Sequence, residues 1–153
     1  MPDWNKNIST DQTKVGDKLP DISIPITLQR LVMEAGANYD LSLFHHDKEV
    51  AITVGAPDAF ANSFFNMGMY ERLLREWAGP NARLKKIGSL KMIKFNRVGD
   101  TVTFEGVVSK IEENIVTVDL ISRTSPTNIT TTAFGIVQLN EVKEVDNVNQ
   151  SKL

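Results

Sequence analysis

Cysteine is absent from the chain, so no disulfide framework, thiolate nucleophile or cysteine-based zinc site can be built from it. An excess of charge of one sign is nearly absent too, with 17 Lys and Arg against 19 Asp and Glu. A net charge of −2 gives no general attraction for nucleic acid or for an anionic membrane surface. Long apolar runs are missing: no window approaches 18 consecutive apolar residues, and the opening MPDWNKNISTDQTK is polar with no apolar h-region. Neither a membrane span nor secretion is expected, and a reducing, cytoplasmic location fits. The triplets Asn7-Ile8-Ser9 and Asn128-Ile129-Thr130 match a glycosylation acceptor, but without a secretory leader they carry no weight. What remains is ordinary. Hydrophobic (41%) and charged (24%) fractions sit near globular averages and exclude disorder, collagen-like repeats and coiled coil, while 153 residues suit one domain.

Residues 1–20 and 141–153 are polar and aperiodic, and read as mobile tails around a domain at 21–140. After the apolar run Ile22 to Ile26, Thr27 caps a helix in which Leu28, Leu31, Val32 and Ala35 follow an i, i+3, i+4, i+7 pattern. The stretch from Tyr39 to Gly55 lacks a sustained period and predicts a long loop with one helical turn; long ordered loops are often functional. Pro57 and Asp58 mark the start of the longest helix, which Gly79 and Pro80 stop. Its first half is apolar on almost every side, which predicts burial.

From residue 84 the chain turns to threonine, valine and isoleucine in runs separated by Gly99-Asp100, Glu113-Asn114 and Pro126-Thr127-Asn128. Four strands follow the helix. In the second, Val102, Phe104, Gly106 and Val108 alternate with polar residues, and Val116, Val118 and Leu120 do the same in the third, as a sheet with one covered face requires. One buried helix with several antiparallel strands suggests an α+β fold in which a curved antiparallel sheet wraps a long central helix. Such a sheet leaves part of the helix and an edge strand uncovered, so a dimer is expected.

Both histidines lie in the segment Asp40-Leu41-Ser42-Leu43-Phe44-His45-His46-Asp47. A carboxylate and an imidazole five residues apart in a loop can converge on one water, an arrangement suited to acid–base work near neutral pH. Spacing alone equally allows ordinary loop residues. Metal binding by His45, His46 and Asp47 is a poor reading, because adjacent side chains diverge. Asn62 and Asn66 read either as polar groups on the least buried stripe of the long helix or as ligands. Phe60, Phe64, Phe65, Met67 and Met69 are core candidates before they are acyl-pocket candidates. Arg83, Lys85 and Lys86 form either a solvated edge or a phosphate contact.

The run Asp40-x4-His45-x-Asp47 resembles the D-x-N-P-x-H-x-D signature of MaoC-like hydratases, between the same two helices. Further points of likeness are Gly55, Asp58, Phe60, Asn62, Gly68, Arg72, Trp77-Ala78-Gly79-Pro80, Ile87-Gly88 and Thr101-Val102-Thr103-Phe104. Together they cover residues 22–138 and are most similar to the small-subunit branch of bacterial hydratases acting on steroid side chains. The resemblance implies a hot-dog fold, with Asp40 and His45 as the catalytic pair. It places Phe60 and the main chain of Ala61, Asn62 and Ser63 at the substrate, the amides holding the thioester oxygen at a helix N-terminus. Ser42 and Leu43 stand where the signature has Asn-Pro, and Asn62-Ser63 where it has His-Gly. Those departures bear on the straight-chain substrate of the family and leave the acid–base pair in place.

The implied reaction is hydration of a trans-2-enoyl-CoA, or the reverse dehydration, on a bulky acyl group. Coenzyme A enters as part of the substrate, and no other cofactor or metal is implied. The partner is a second copy or a second MaoC-like subunit. Two alternatives stand beside it. A hot-dog thioesterase would need a helix carboxylate, for which only Asp58, Glu71 and Glu76 are available; a non-catalytic acyl-CoA-binding subunit would have no use for both Asp40 and His45.

Overall fold

The structure, a computed structural model, describes residues 7–139. The expected C-terminal tail therefore lies outside the described residues. Five strands form one antiparallel sheet: β1 (Ile22–Pro25), β2 (Arg83–Met92), β3 (Thr101–Glu112), β4 (Ile115–Ser125) and β5 (Asn128–Gln138), in the order β1-β3-β4-β5-β2. Helix α1 (Leu28–Asn38) follows β1, α2 (Lys48–Thr53) is short, and α3 (Ser63–Ala78) is the long central helix. α3 packs against β2 at one edge and also against β3 and β5, so the sheet curls around it. This is the hot-dog arrangement expected from the strand pattern.

The alternation in β3 and β4 is what makes this possible. Val102, Phe104, Val108, Val116, Val118 and Leu120 are all buried beneath α3, whose own stripe supplies Tyr70, Leu73, Leu74 and Trp77. At Gly135 the helix comes so close that a Cβ would stand 2.5 Å from Leu74 Cδ1. A buried hydroxyl cluster pins the helix to β4 and β5. Tyr70 Oη lies 2.7 Å from Thr131 Oγ1, and Ser122 Oγ lies 2.6 Å from Thr131 Oγ1 and 2.8 Å from Thr130 Oγ1. Burial pushes the Tyr70 phenol up to about 12, against its hydrogen bonds to Thr131 and Ser122, so it stays a neutral hydroxyl.

Several expectations are corrected. Residues 7–20 are part of the packed domain: Gly16 N donates to Val108 O (2.8 Å), Leu19 N to Gly106 O (2.9 Å), and Leu19 is buried against Gly106. One apolar anchor and isolated main-chain bonds need no periodicity, which is why the segment read as a tail. The region Tyr39 to Gly55 is more helical than a loop, because Asp47 caps α2 by accepting from Glu49 N and Val50 N. In α1, Thr27 accepts from Arg30 N as expected, but only Leu31 and Ala35 are buried, while Leu28 and Val32 are about half exposed.

The central helix begins at Ser63, six residues after Pro57. Residues 59–61 instead pair with the chain after β2: Ala61 N donates to Asn96 O (2.9 Å) and Val98 N to Ala59 O (2.9 Å). Asn62 is the N-cap, its Oδ1 accepting from Phe65 N at 2.8 Å. The helix is turned so that Asn62 and Asn66 are buried, against their reading as the least buried stripe, and Phe64 (55%) and Met67 (37%) are exposed, against theirs as core, while Phe65 and Met69 are core as expected. Counting back from Trp77 through Leu73, Leu74 and Tyr70 by threes and fours places Asn66 on the buried stripe.

Gly135→Val is expected to cost about 1–3 kcal/mol through overpacking against Leu74. Gly36→Ala, on the exposed side of α1 with nothing within 4 Å of the new Cβ, is expected to stabilise by about 0.5–1 kcal/mol. Urea unfolding of the two variants beside the wild type checks both signs.

Candidate active site

Asp40 is positioned by the end of α1. Tyr39 takes the left-handed conformation (φ 56°) at the C-cap, and Asp40 N donates to Ala35 O at 3.0 Å, so the chain leaves the helix with the Asp40 side chain turned inward. A 3₁₀ turn at Leu43–His45 then brings back His45, which is buried. The His45 ring lies edge-on to Phe44 and Phe60, with centroids at 4.5 and 5.1 Å, and its Nδ1 lies 2.8 Å from the carbonyl of Phe60. A carbonyl only accepts, so Nδ1 carries the proton of that hydrogen bond. In the neutral imidazole this leaves the Nε2 lone pair turned toward Asp40.

His45 Nε2 and Asp40 Oδ2 are 3.4 Å apart. Asp40 is held by Asn62 Nδ2, which donates to Oδ2 at 2.8 Å, and by Ser42 N at 3.5 Å from Oδ1. Burial opposes the Asp40 charge, but the hydrogen bonds from Asn62 and Ser42, joined by the charge of His45 when its ring is protonated, outweigh it and hold the carboxyl below the usual carboxylate range. The two groups thus present a carboxylate oxygen and an imidazole nitrogen to the same space, a pair able to receive both protons of one water.

That space is a cavity of about 300 Å³ lined by all six residues expected at the site: Asp40, His45, Phe60, Ala61, Asn62 and Ser63. Its remaining wall, Met92 to Phe95, comes from the end of β2 and the connection that follows it. Sequence reading missed this wall, because no local pattern announces a contact made across thirty residues of chain. One expectation changes in detail. The Ala61 amide is taken by Asn96 O, so it is closed to a ligand; the amides of Asn62 and Ser63 have no acceptor among the described residues and sit at the positive end of α3. His46 caps the 3₁₀ turn and does not line the cavity.

A further residue missed from sequence is Glu34, on the α1 face toward Asn62. Burial, helped by the Asp40 charge, pushes its carboxyl above the usual range against the Asn38 and Asn62 amides and His45. Glu34 lines a second, more open cavity of about 480 Å³ together with Ile24, Arg30, Met33 and Phe65. The Asn62 amide hydrogen-bonds both Asp40, in the first cavity, and Glu34, in the second. The other candidates fall away from both. Phe64 and Met67 are largely exposed and Met69 is core, while Arg83, Lys85 and Lys86 are exposed near the end of β2 opposite Met92, as a solvated edge. Asp58 lies outside α3 and pairs with Lys48 (3.1 Å), Glu71 pairs with Arg75 (2.7 Å) and Glu76 with Arg72 (2.6 Å), so no helix carboxylate faces the first cavity.

No family model matches the chain. The beta subunit of 3-oxo-4,17-pregnadiene-20-carboxyl-CoA hydratase from Mycobacterium tuberculosis is 33% identical over 111 residues, which span 72% of this chain and 85% of that protein. The crystal structure of the ChsH1–ChsH2 complex from Mycobacterium tuberculosis contains a chain that superposes with a TM-score of 0.79 at 31% identity, covering 84% of this chain and 99% of its own. A MaoC-like dehydratase superposes with a TM-score of 0.78 at 24% identity, over 90% of this chain and 45% of its own, and so shows the fold alone.

Because the folded pKa of Asp40 lies below its unfolded value, the carboxylate contributes stability that is present above the unfolded pKa and lost as pH falls through the folded one. Asn62→Ala removes its 2.8 Å hydrogen bond, so the Asp40 pKa should rise and acid destabilisation begin at a higher pH. The N-cap loss adds about 1 kcal/mol at all pH values. Carboxyl NMR titration with unfolding curves across the acid range checks this; an unmoved or lowered Asp40 midpoint contradicts it.

Proposed function

The chain belongs to the MaoC-like hydratase family of hot-dog lyases, and from that premise we propose that it hydrates a trans-2-enoyl-CoA carrying a bulky acyl group, or runs the reverse dehydration. The observation that carries the reading is the Asp40 carboxylate 3.4 Å from Nε2 of His45, both groups open to one cavity. A water donating to both is held with its oxygen lone pairs toward the substrate. Asp40 takes one water proton as the oxygen bonds to C3, and the C2=C3 electron pair moves toward the thioester oxygen. The amides of Asn62 and Ser63 and the dipole of α3 stabilise that developing negative charge. Protonation of C2 from the Asp40–His45 pair restores the starting state, so the elements of water are added without a cofactor.

A bulky acyl group is favoured by a second cavity of about 480 Å³, lined by Glu34, whose carboxyl is hydrogen-bonded by the same Asn62 amide that holds Asp40 at the first. A steroid-type side chain fits the substrate in the relative's name. The thioesterase alternative loses its support, because Asp58, Glu71 and Glu76 are all paired away from the first cavity. A purely binding subunit has no need of a fixed imidazole tautomer against a carboxylate.

Assays of crotonyl-CoA and of a branched, ring-bearing enoyl-CoA, with free thiol monitored alongside, separate hydratase from thioesterase. Asp40→Asn and His45→Ala are each expected to lower hydration by roughly 10²-fold or more with the fold intact, and His46→Ala to remain near wild type. Full activity of the doubly substituted Asp40→Asn, His45→Ala protein would remove both residues from the mechanism.

The working assembly is a pair of hot-dog subunits in which a partner completes the pocket. Phe64 and Met67 stand exposed beside the helix start, β2 is an open sheet edge, and the relatives are a beta subunit and a chain of a two-protein complex. Co-expression with a second MaoC-like subunit is expected to yield a hetero-oligomer with higher activity on the bulky substrate than the isolated chain. Mass determination and assay decide it: full activity of this chain alone, with no gain from the partner, rejects the hetero-oligomer.

A further inference from the structure

The polar contacts of the site close into a circuit that passes through two buried amides outside the cavity. Beginning at the Phe60–Ala61 peptide, the carbonyl accepts from His45 Nδ1 (2.8 Å), and Nε2 of the same ring lies 3.4 Å from Asp40 Oδ2. Asp40 Oδ2 accepts from Asn62 Nδ2 (2.8 Å), and the main-chain carbonyl of Asn62 accepts from Asn66 Nδ2 (2.7 Å). Asn66 Oδ1 accepts from Asn96 Nδ2 (2.8 Å), and Asn96 O accepts from the Ala61 amide (2.9 Å), which belongs to the starting peptide. The peptide beneath His45 is therefore clamped at both ends, by His45 on its oxygen and by Asn96 on its nitrogen.

Asn66 and Asn96 are both fully buried. Their orientations follow from the acceptors they meet. The Asn62 carbonyl requires the NH₂ of Asn66, which turns Asn66 Oδ1 to Asn96, which must in turn present its own NH₂. The remaining group, Asn96 Oδ1, is buried with no partner among the described residues. Packing does not explain this choice, since Asn66 stands on the stripe of Tyr70, Leu73, Leu74 and Trp77, where an apolar side chain fills the space without orphaning an acceptor. Amides retained at such a position point to what they orient. Asn66 also faces the cavity wall, with Nδ2 3.7 Å from Met92 Sδ.

We propose that Asn66 and Asn96 are positioning residues of the reaction: they hold the Asn62 N-cap and the Phe60–Ala61 peptide so that Asp40 and the His45 tautomer keep their mutual geometry. Neither touches the reacting atoms. The proposal rests on the hydratase reading for its rate effect, while its effect on His45 is independent of turnover.

The test compares wild type with Asn66→Leu, Asn96→Ala and the Asn66→Leu, Asn96→Leu double variant in the full chain, co-expressed with its partner where one is required. Each folded variant is expected to lose about tenfold or more in kcat with KM changed less than about threefold. In ¹⁵N NMR the His45 Nδ1–H tautomer signal, single in the wild type, should weaken or split. The double variant is expected to unfold at or above the wild-type temperature, because it removes the orphaned acceptor. Unchanged kcat with an unchanged His45 signal in a folded variant overturns the proposal. So does failure of all three variants to fold, which makes the amides stability elements. A wild type without hydratase activity, but with the His45 signal altered in the variants, removes the hydratase reading and leaves the positioning role standing.

Discussion

The site depends on the hydrogen bond between His45 Nδ1 and the carbonyl of Phe60. This contact fixes which imidazole nitrogen holds the proton, and with it which nitrogen is left to work beside Asp40. The carbonyl is itself immobile, because residues 59–61 are strung in extended conformation between the helix start and the segment after β2. A helix beginning at Pro57 would have drawn the Phe60 carbonyl into an internal bond. The late start at Asn62 is thus a condition of the chemistry as well as a feature of the fold.

Electrostatics around Asp40 show the same economy. Partial burial pushes a carboxylate toward its neutral form, yet here two directed donors, from Asn62 and Ser42, outweigh that push, and His45 adds to them when it is protonated. Glu34, only a short distance away on α1, is shifted the other way, since burial and the Asp40 charge act on it in the same sense. Two carboxyls in one neighbourhood are thereby driven apart in basicity, with the Asn62 amide between them. The more ionised member is the one that lies against the imidazole.

The sheet supplies the rigidity that this arrangement needs. Curling around α3 presses the helix onto Gly135 and onto the Tyr70, Thr131 and Ser122 hydroxyls, which fix its height and rotation. Rotation matters because Asn62 and Asn66 turn inward only when Tyr70, Leu73, Leu74 and Trp77 do. The exposed Phe64 and Met67 are the complementary consequence, an apolar face left beside the cavity.

Much of this was legible in the residues themselves. The Thr27 cap, the alternation of Val102, Phe104 and Val108 and the turn at Glu113-Asn114 are short-range, and side-chain period and local hydrogen bonding suffice to encode them, whereas the pairing of Asp40 with His45 was singled out by the resemblance of their run to the family signature. Six residues were named for the site and all six line one cavity. Tertiary structure alone decided the rest: the inward turn of Asn62 and Asn66, the wall from Met92 to Phe95, the engagement of the Ala61 amide by Asn96, the proximity of Glu34 and the docking of residues 7–20. Each of these is a main-chain or amide contact between segments far apart in sequence. Such contacts carry no periodicity, because any residue can offer an N–H or a C=O, and only the folded path determines which ones meet.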